Sequence, residues 1–188
     1  MQPDPHLHNG EEIQWQGSPD ASVWTTRSDS MLVPFSVFTL GFAIFWTVLA
    51  ASSTRGPRFM WVFGLVFIAF ALYMVIGRFF VKAARKRRTH YFLTNKRAIV
   101  IDPAGTHYVG LATAQITSSI RSDGAHLDVT FGMEQGPASG LPGARVLLVY
   151  ANTGLDFFAA MGSGLPIAFY DVADVTGLEE ALAAREST

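Results

Sequence analysis

The chain has 188 residues, 49% of them hydrophobic, with a formal net charge of −1 and no cysteine. The lack of cysteine excludes disulfides and thiolate metal sites and favours a reducing compartment. The charges are segregated, because residues 78–97 hold eight basic residues and no acid, whereas residues 98–188 hold ten acids and three arginines. A nucleic-acid binder would carry basic residues throughout its folded domain, so nucleic acid is not an expected partner.

Residues 1–30 are predicted to form a polar N-terminal segment. Ile13 and Trp15 alternate with glutamines, which indicates a short strand, and residues 17–20 (GSPD) indicate a turn. The segment lacks the basic stretch and adjoining apolar core of a cleavable signal peptide. We therefore expect the first helix to be retained as an anchor.

Two long apolar runs without charge follow, at residues 31–54 and 59–77. About 20 helical residues span a hydrocarbon core of about 30 Å. The sequence therefore predicts a transmembrane helical hairpin over residues 31–81, with helices at 31–54 and 59–81 and a tight reversal between them. The alternative is that both runs are buried core helices of a soluble protein.

The distribution of basic residues around the hairpin predicts its orientation. The connection between the helices has two arginines, whereas residues 82–88 have five basic residues. By the positive-inside rule the second flank is cytoplasmic. A hairpin returns the chain to the same side, so we expect a multi-pass protein of the plasma membrane with both termini in the cytoplasm.

Basic clusters next to a transmembrane helix attract anionic phospholipid head groups, at about 1 kcal/mol for each residue near the surface. We predict contact with the membrane surface for seven basic residues. They are Lys82, Arg85, Lys86, Arg87 and Arg88 after the second helix, and Lys96 and Arg97 at a predicted hairpin turn. The alternative is that the first five only set topology and that the turn is solvated.

After the basic block, the name used below for residues 82–88, the hydrophobic period changes to two. This period predicts antiparallel strands in a small sandwich or partly open barrel. The predicted strands cover residues 89–94, 97–101, 106–111, 115–121, 125–132, 146–150 and 166–170. Residues 133–143 read as an exposed loop, and residues 155–161 fit either a strand or a short helix. The fold class is therefore α+β, with the β domain at residues 82–188.

The chain is predicted to end in a helix over residues 177–186 that covers one open end of the sheet. Thr176 and Glu179 have the spacing of a capping box, in which the side chain of each residue accepts the backbone N–H of the other. Leu178, Ala181 and Leu182 form an apolar stripe at helical spacing.

Four pieces of the sequence resemble a known family. They are residues 10–19 (GEEIQWQGSP), residues 91–97 (YFLTNKR), the turn at 121–124 (RSDG) with the strand that ends in Phe-Gly at 131–132, and the closing strand and helix at 169–182. The chain resembles small bacterial membrane proteins that carry a bacterial pleckstrin-homology-like (PH-like) domain. The resemblance implies a seven-stranded, two-sheet, partly open barrel, capped by a C-terminal helix and fused to a two-helix anchor.

No catalytic motif accompanies this pattern. The sequence has no Walker-type phosphate loop and no His-Glu-x-x-His, and Gly162-Ser163-Gly164 is too short for a nucleophile elbow. We therefore expect a non-enzymatic protein of the bacterial inner membrane, without catalytic, cofactor or metal residues. Its cytoplasmic domain is expected to bind a protein partner or anionic lipid.

Two alternatives belong to other functional classes. One is a membrane enzyme with a site among His90, His107 and Asp128, which a clustered histidine–carboxylate pair in a closed cleft would favour. The other is a membrane scaffold that forms homo-oligomers through its β domain.

Overall fold

The computed structural model describes residues 3–26, 28–53, 59–133, 152–155 and 167–186. The helices are α1 (Asp29–Ser52), α2 (Met60–Leu72), a π-helical turn (Tyr73–Gly77), α3 (Arg78–Lys86) and α4 (Val175–Glu186). The strands are β1 (Ile13–Gly17), β2 (His90–Thr94), β3 (Arg97–Asp102), β4 (Gly105–Gly110), β5 (Ala114–Ile120), β6 (Leu127–Met133) and β7 (Ile167–Val172).

The two apolar runs form helices that pack together. The first is α1, and the second is the continuous helix Met60–Lys86, which joins α2, the π-helical turn and α3. Both are long and apolar enough to cross a membrane. The second helix extends five residues beyond the predicted end at Val81, so much of the basic block is helical. The predicted reversal at 55–58 lies outside the described residues.

Small and hydroxyl-bearing residues line the contact between the helices. Ser36, Ala43 and Thr47 are the buried small residues of α1, and Gly64 and Ala71 are those of α2. The Thr47 hydroxyl donates to the Ala43 carbonyl one turn earlier, at 2.7 Å, and so needs no partner across the interface. Small residues let helix backbones approach closely.

Replacing Gly64 with valine is expected to destabilise the hairpin by about 1–3 kcal/mol, the usual cost of overpacking. Any Cβ at position 64 would overlap the Thr47 side chain. Gly41 is the matched control, because a Cβ there would meet nothing within 4 Å. Thermal unfolding in detergent micelles measures the effect. Equal stability of Gly64→Val and Gly41→Val would contradict it.

The strands form two antiparallel sheets, neither of them closed, in the orders β1-β2-β3-β4 and β5-β6-β7. A bridge between Pro19 and Val172 connects the N-terminal segment with β7. Because β1 pairs with β2, the N-terminal segment contributes a strand to the first sheet. We use "β domain" below for the two sheets, β1 included, together with α4.

The core between the sheets is built around Phe169 of β7. Its ring stacks on Tyr91 with centroids 4.7 Å apart, meets Phe131 edge-on at 4.8 Å and lies 5.8 Å from Trp15. Leu178 of α4 is fully buried in the same core. The predicted apolar stripe of the last helix is thus confirmed, since Ala181 and Leu182 also pack there.

The cap of α4 differs from the prediction. The helix begins at Val175, and the carboxylate of Asp174 accepts the N–H of Gly177 at 3.1 Å. The predicted capping box at Thr176 is therefore wrong by two positions. Asp174 also accepts the indole N–H of Trp15 at 2.9 Å, which fixes it as the start of the helix.

The predicted α+β elements agree with the observed strands and helices to within a few residues at each end. The last strand runs from Ile167 to Val172, two residues beyond its predicted end. Met133, predicted to begin the loop at 133–143, is instead the last residue of β6. The rest of that loop, the strand at 146–150 and most of residues 155–161 lie outside the described part of the chain.

Candidate functional site at the junction of the hairpin and the sheets

Helix α3 buries three of its four basic side chains and exposes apolar ones. Arg78, Lys82 and Lys86 are buried at intervals of four residues, which places them on one face of the helix. Phe80 and Val81 point outward and are 61% and 48% exposed. A surface helix of a water-soluble protein has the opposite arrangement.

The first cation of this face, Arg78, forms a buried ion pair with the first residue of α1. Its Nη1 lies 2.6 Å from Oδ1 of Asp29, and both side chains are almost completely buried. The other carboxylate oxygen, Oδ2 of Asp29, accepts the N–H of Thr26 at 2.6 Å. The pair therefore joins the starts of α1 and α3.

The short segment 152–155 rests on the same part of the helix. The Tyr73 hydroxyl of the π-helical turn donates to the Gly154 carbonyl at 3.0 Å. Gly154 has φ +80°, and a Cβ there would overlap the backbone of Arg78. Only glycine meets both conditions at this position, because it adopts positive φ without strain and has no Cβ.

The carboxylate of Asp171 on β7 binds two cations, Lys86 and Arg121. Its Oδ2 lies 2.6 Å from both Lys86 Nζ and Asn152 Nδ2, and its Oδ1 pairs with Arg121. Its backbone, at φ 54°, donates an N–H to Oδ1 of Asp128 at 2.7 Å. Burial raises the pKa of Asp128, and the nearby Asp171 carboxylate adds to this although the N–H bond opposes it.

The segment leading into α1 is held by the same cations through its backbone carbonyls. Lys86 donates to Asp20 and Val23 at 3.1 and 2.8 Å, Lys82 to Trp24 at 3.3 Å, and Arg121 to Thr25 at 2.7 Å. These bonds satisfy N–H donors of the cations that the Asp171 carboxylate does not bind. The junction thereby ties α3, the start of α1 and the sheet of β5, β6 and β7 into one unit.

His126 forms a second tie to the same segment. Its Nδ1 lies 2.8 Å from Asp123 and its Nε2 lies 3.2 Å from Asp20. Only the doubly protonated imidazolium can donate to both carboxylates at once. Burial lowers the pKa of His126, but the hydrogen bonds to Asp123 and Asp20 outweigh it and the pKa is raised.

Replacing His126 with glutamine is expected to cost about 1 kcal/mol of stability at pH 6 and less at pH 9. A raised folded-state pKa stabilises the protein below the unfolded value of about 6.5, and the contribution is lost as the pH rises through the folded pKa. Denaturant unfolding of both proteins at the two pH values measures the difference. A loss of stability that is the same at both would contradict the imidazolium assignment.

The first two motifs of the family resemblance bind each other at the far end of β2. Glu11 accepts Nε and Nη2 of Arg97 at 2.7 and 3.0 Å and the Thr94 hydroxyl at 2.8 Å. The Arg97 guanidinium, against the effect of burial, lowers the pKa of Glu11 to about 2. Asn95 pairs through its backbone N–H and its side chain with the backbone of Glu12.

The structure separates the seven predicted membrane-contact residues into two groups. Lys82 and Lys86 are buried, Arg85 pairs with Asp102, Arg97 pairs with Glu11, and Lys96 is exposed but donates to the Asn9 carbonyl at 2.9 Å. Arg87 and Arg88 are exposed, and no described residue binds their side chains. Lys82 and Lys86 face inward because the helix continues to Lys86 and keeps them on the face of Arg78.

The residues of the hypothetical enzyme site are not joined to one another. His90 lies on β2 and His107 on β4 in one sheet, whereas Asp128 lies on β6 in the other. Within the described ranges no hydrogen bond or ion pair connects these three, and His107 is a half-exposed neighbour of Asp102 at 3.7 Å. The same ranges contain no group of three or more histidine, aspartate or glutamate residues arranged for a metal ion.

Comparison with protein-family models, curated proteins and solved structures found no match to this chain.

Proposed function

We propose that this chain is a non-enzymatic protein of the bacterial plasma membrane, with a hairpin that spans the bilayer. Its PH-like β domain then lies at the cytoplasmic face and binds a partner protein or anionic lipid there. The observation that carries the proposal is the arrangement of α3, which buries Arg78, Lys82 and Lys86 and exposes Phe80 and Val81.

This arrangement is favourable where the surroundings of the helix are hydrocarbon. Exposed apolar surface costs about 25 cal/mol per Å² in water and nothing comparable in lipid. A charged side chain facing lipid is expensive, so cations within a span turn towards protein partners. The pairing of Arg78 with Asp29 and the carbonyls that bind Lys82 and Lys86 supply such partners.

A PH-like architecture is supported by the four-stranded and three-stranded sheets and by Leu178 of the last helix, which enters the core between them. Only Arg87, Arg88 and Thr89 separate α3 from β2, and Thr89 is buried. Such a short connection supports a domain presented at a fixed orientation to the membrane, as suits a docking platform.

Fusions to the C-terminus test the location. We expect a green fluorescent protein fused after Thr188 to fluoresce, alkaline phosphatase at the same place to be inactive, and the full chain to stay in the membrane pellet after carbonate extraction. Release by carbonate, or an active phosphatase fusion, would refute the proposal. Crosslinking in native membranes then distinguishes protein neighbours of the β domain from lipid contacts.

A further inference from the structure

We infer that Arg87 and Arg88 bind the phosphates of anionic phospholipids, and that they are the residues of the basic block that do so. The inference rests on the proposed function, because it needs the hairpin to be in a bilayer. Of the seven basic residues predicted to contact the membrane, these two at the end of α3 then hold the lipid.

The predicted lipid-binding cations differ in whether they already have a partner within the protein. Lys82 and Lys86 are buried in the protein, and Arg85 and Arg97 form ion pairs with Asp102 and Glu11. A cation already paired in the protein would have to give up its partner to bind a phosphate. Arg87 and Arg88 are exposed and, among the residues that the structure describes, their side chains have no partner to lose.

The second observation is the position of the pair along the helix. The exposed apolar face of α3 includes Phe80, Val81 and Ala84. Arg87 follows Ala84, the last residue of this face, by three residues, about 4.5 Å along a helix axis. The two arginines therefore lie just past the level at which the apolar surface ends, where the phosphate groups of a bilayer begin.

A tryptophan packs beside the exposed apolar face of α3. Trp24 is 50% exposed and meets Phe80 edge-on, with ring centroids 6.0 Å apart. Tryptophan is enriched at the membrane–water interface, where its apolar ring and its N–H suit the head-group layer. An interfacial tryptophan beside Phe80 supports a head-group layer towards the C-terminal end of α3, which Arg87 and Arg88 follow. The planar donor fork of arginine binds a lipid phosphate in a bidentate manner.

The test uses the purified full chain in nanodiscs of mixed zwitterionic and anionic lipid, phosphatidylcholine and phosphatidylglycerol. Spin-labelled forms of each lipid measure which one is enriched at the protein. We expect the unchanged chain to enrich phosphatidylglycerol and Arg87→Gln/Arg88→Gln to reduce that enrichment by on the order of tenfold. Arg87→Lys/Arg88→Lys is expected to retain part of it, because the charge remains without the fork.

Lys96→Gln is the matched control, because it removes an exposed cation at the other end of β2 from α3 and should leave the enrichment unchanged. Equal enrichment by Arg87→Gln/Arg88→Gln and the unchanged chain would overturn the inference, as would an equal loss with Lys96→Gln. Carbonate extraction of the same variants from cells distinguishes failure of this inference from failure of the proposed function. An integral protein without lipid preference refutes only the arginine pair, whereas a chain released by carbonate refutes the proposed function.

Discussion

Replacing Asp171 with asparagine is expected to lower the free energy of unfolding of the β domain by about 3–5 kcal/mol. Its carboxylate is the shared partner of two cations, the buried Lys86 and the mostly buried Arg121. Without it two positive charges remain in the protein interior with only carbonyl and amide partners. Denaturant unfolding of the full chain in detergent micelles, followed by tryptophan fluorescence, measures the loss.

Asparagine is the most informative replacement for Asp171, because it removes the negative charge without adding backbone strain. Asp171 has φ 54°, a conformation that asparagine tolerates and alanine does not. We therefore expect Asp171→Ala to be less stable than Asp171→Asn. Asp123→Asn, at a more exposed carboxylate, is the control and should unfold at nearly the same denaturant concentration as the unchanged chain. An equally small effect of Asp171→Asn would show that the cations do not depend on it.

Replacing Arg97 with methionine is expected to cost about 3 kcal/mol, because the buried carboxylate of Glu11 then loses both bonds to the guanidinium. The pair joins β1 to the β2–β3 hairpin, so the first strand should detach before the rest of the domain unfolds. Hydrogen exchange of the β1 amides in the full chain reports that detachment directly.

The double variant Glu11→Gln/Arg97→Met provides the control for this pair. Removing both charges leaves no buried ion, so the double variant should be more stable than Arg97→Met alone. In the unchanged chain, the contribution of Glu11 is present above about pH 4.3 and is lost as the pH falls towards its pKa of about 2. A double variant as unstable as the sum of the two single variants would mean that the pair is not coupled.

Much of this fold could be predicted from local patterns in the sequence. The two uncharged runs predict the helices because no other element needs so many apolar residues in succession. The turn at Asn95-Lys96 and the alternation on either side predict the β2–β3 hairpin, which is observed with Leu93 opposite Ala98 and His90 opposite Ile101. Both signals lie within a few residues of the element that they define.

The junction could not be predicted in this way because its partners are distant along the chain. Asp171 lies 85 residues after Lys86, and Asp29 lies 49 residues before Arg78. Nearness to a membrane span suggests lipid contact for every cation of the block, whereas burial depends on which helix face meets the sheets. The spacing of Arg78, Lys82 and Lys86 is the signal that could have separated the inward cations from Arg87 and Arg88.

The natural lack of cysteine allows the surroundings of α3 to be measured one position at a time. Spin labels on Val81→Cys and on Lys96→Cys, in the full chain in proteoliposomes, report collisions with oxygen, which concentrates in lipid, and with a water-soluble nickel complex. We predict that the label at position 81 collides mainly with oxygen and the label at position 96 mainly with nickel. Equal access of the nickel complex to both positions would contradict a lipid-facing α3, and with it the bilayer location of the hairpin.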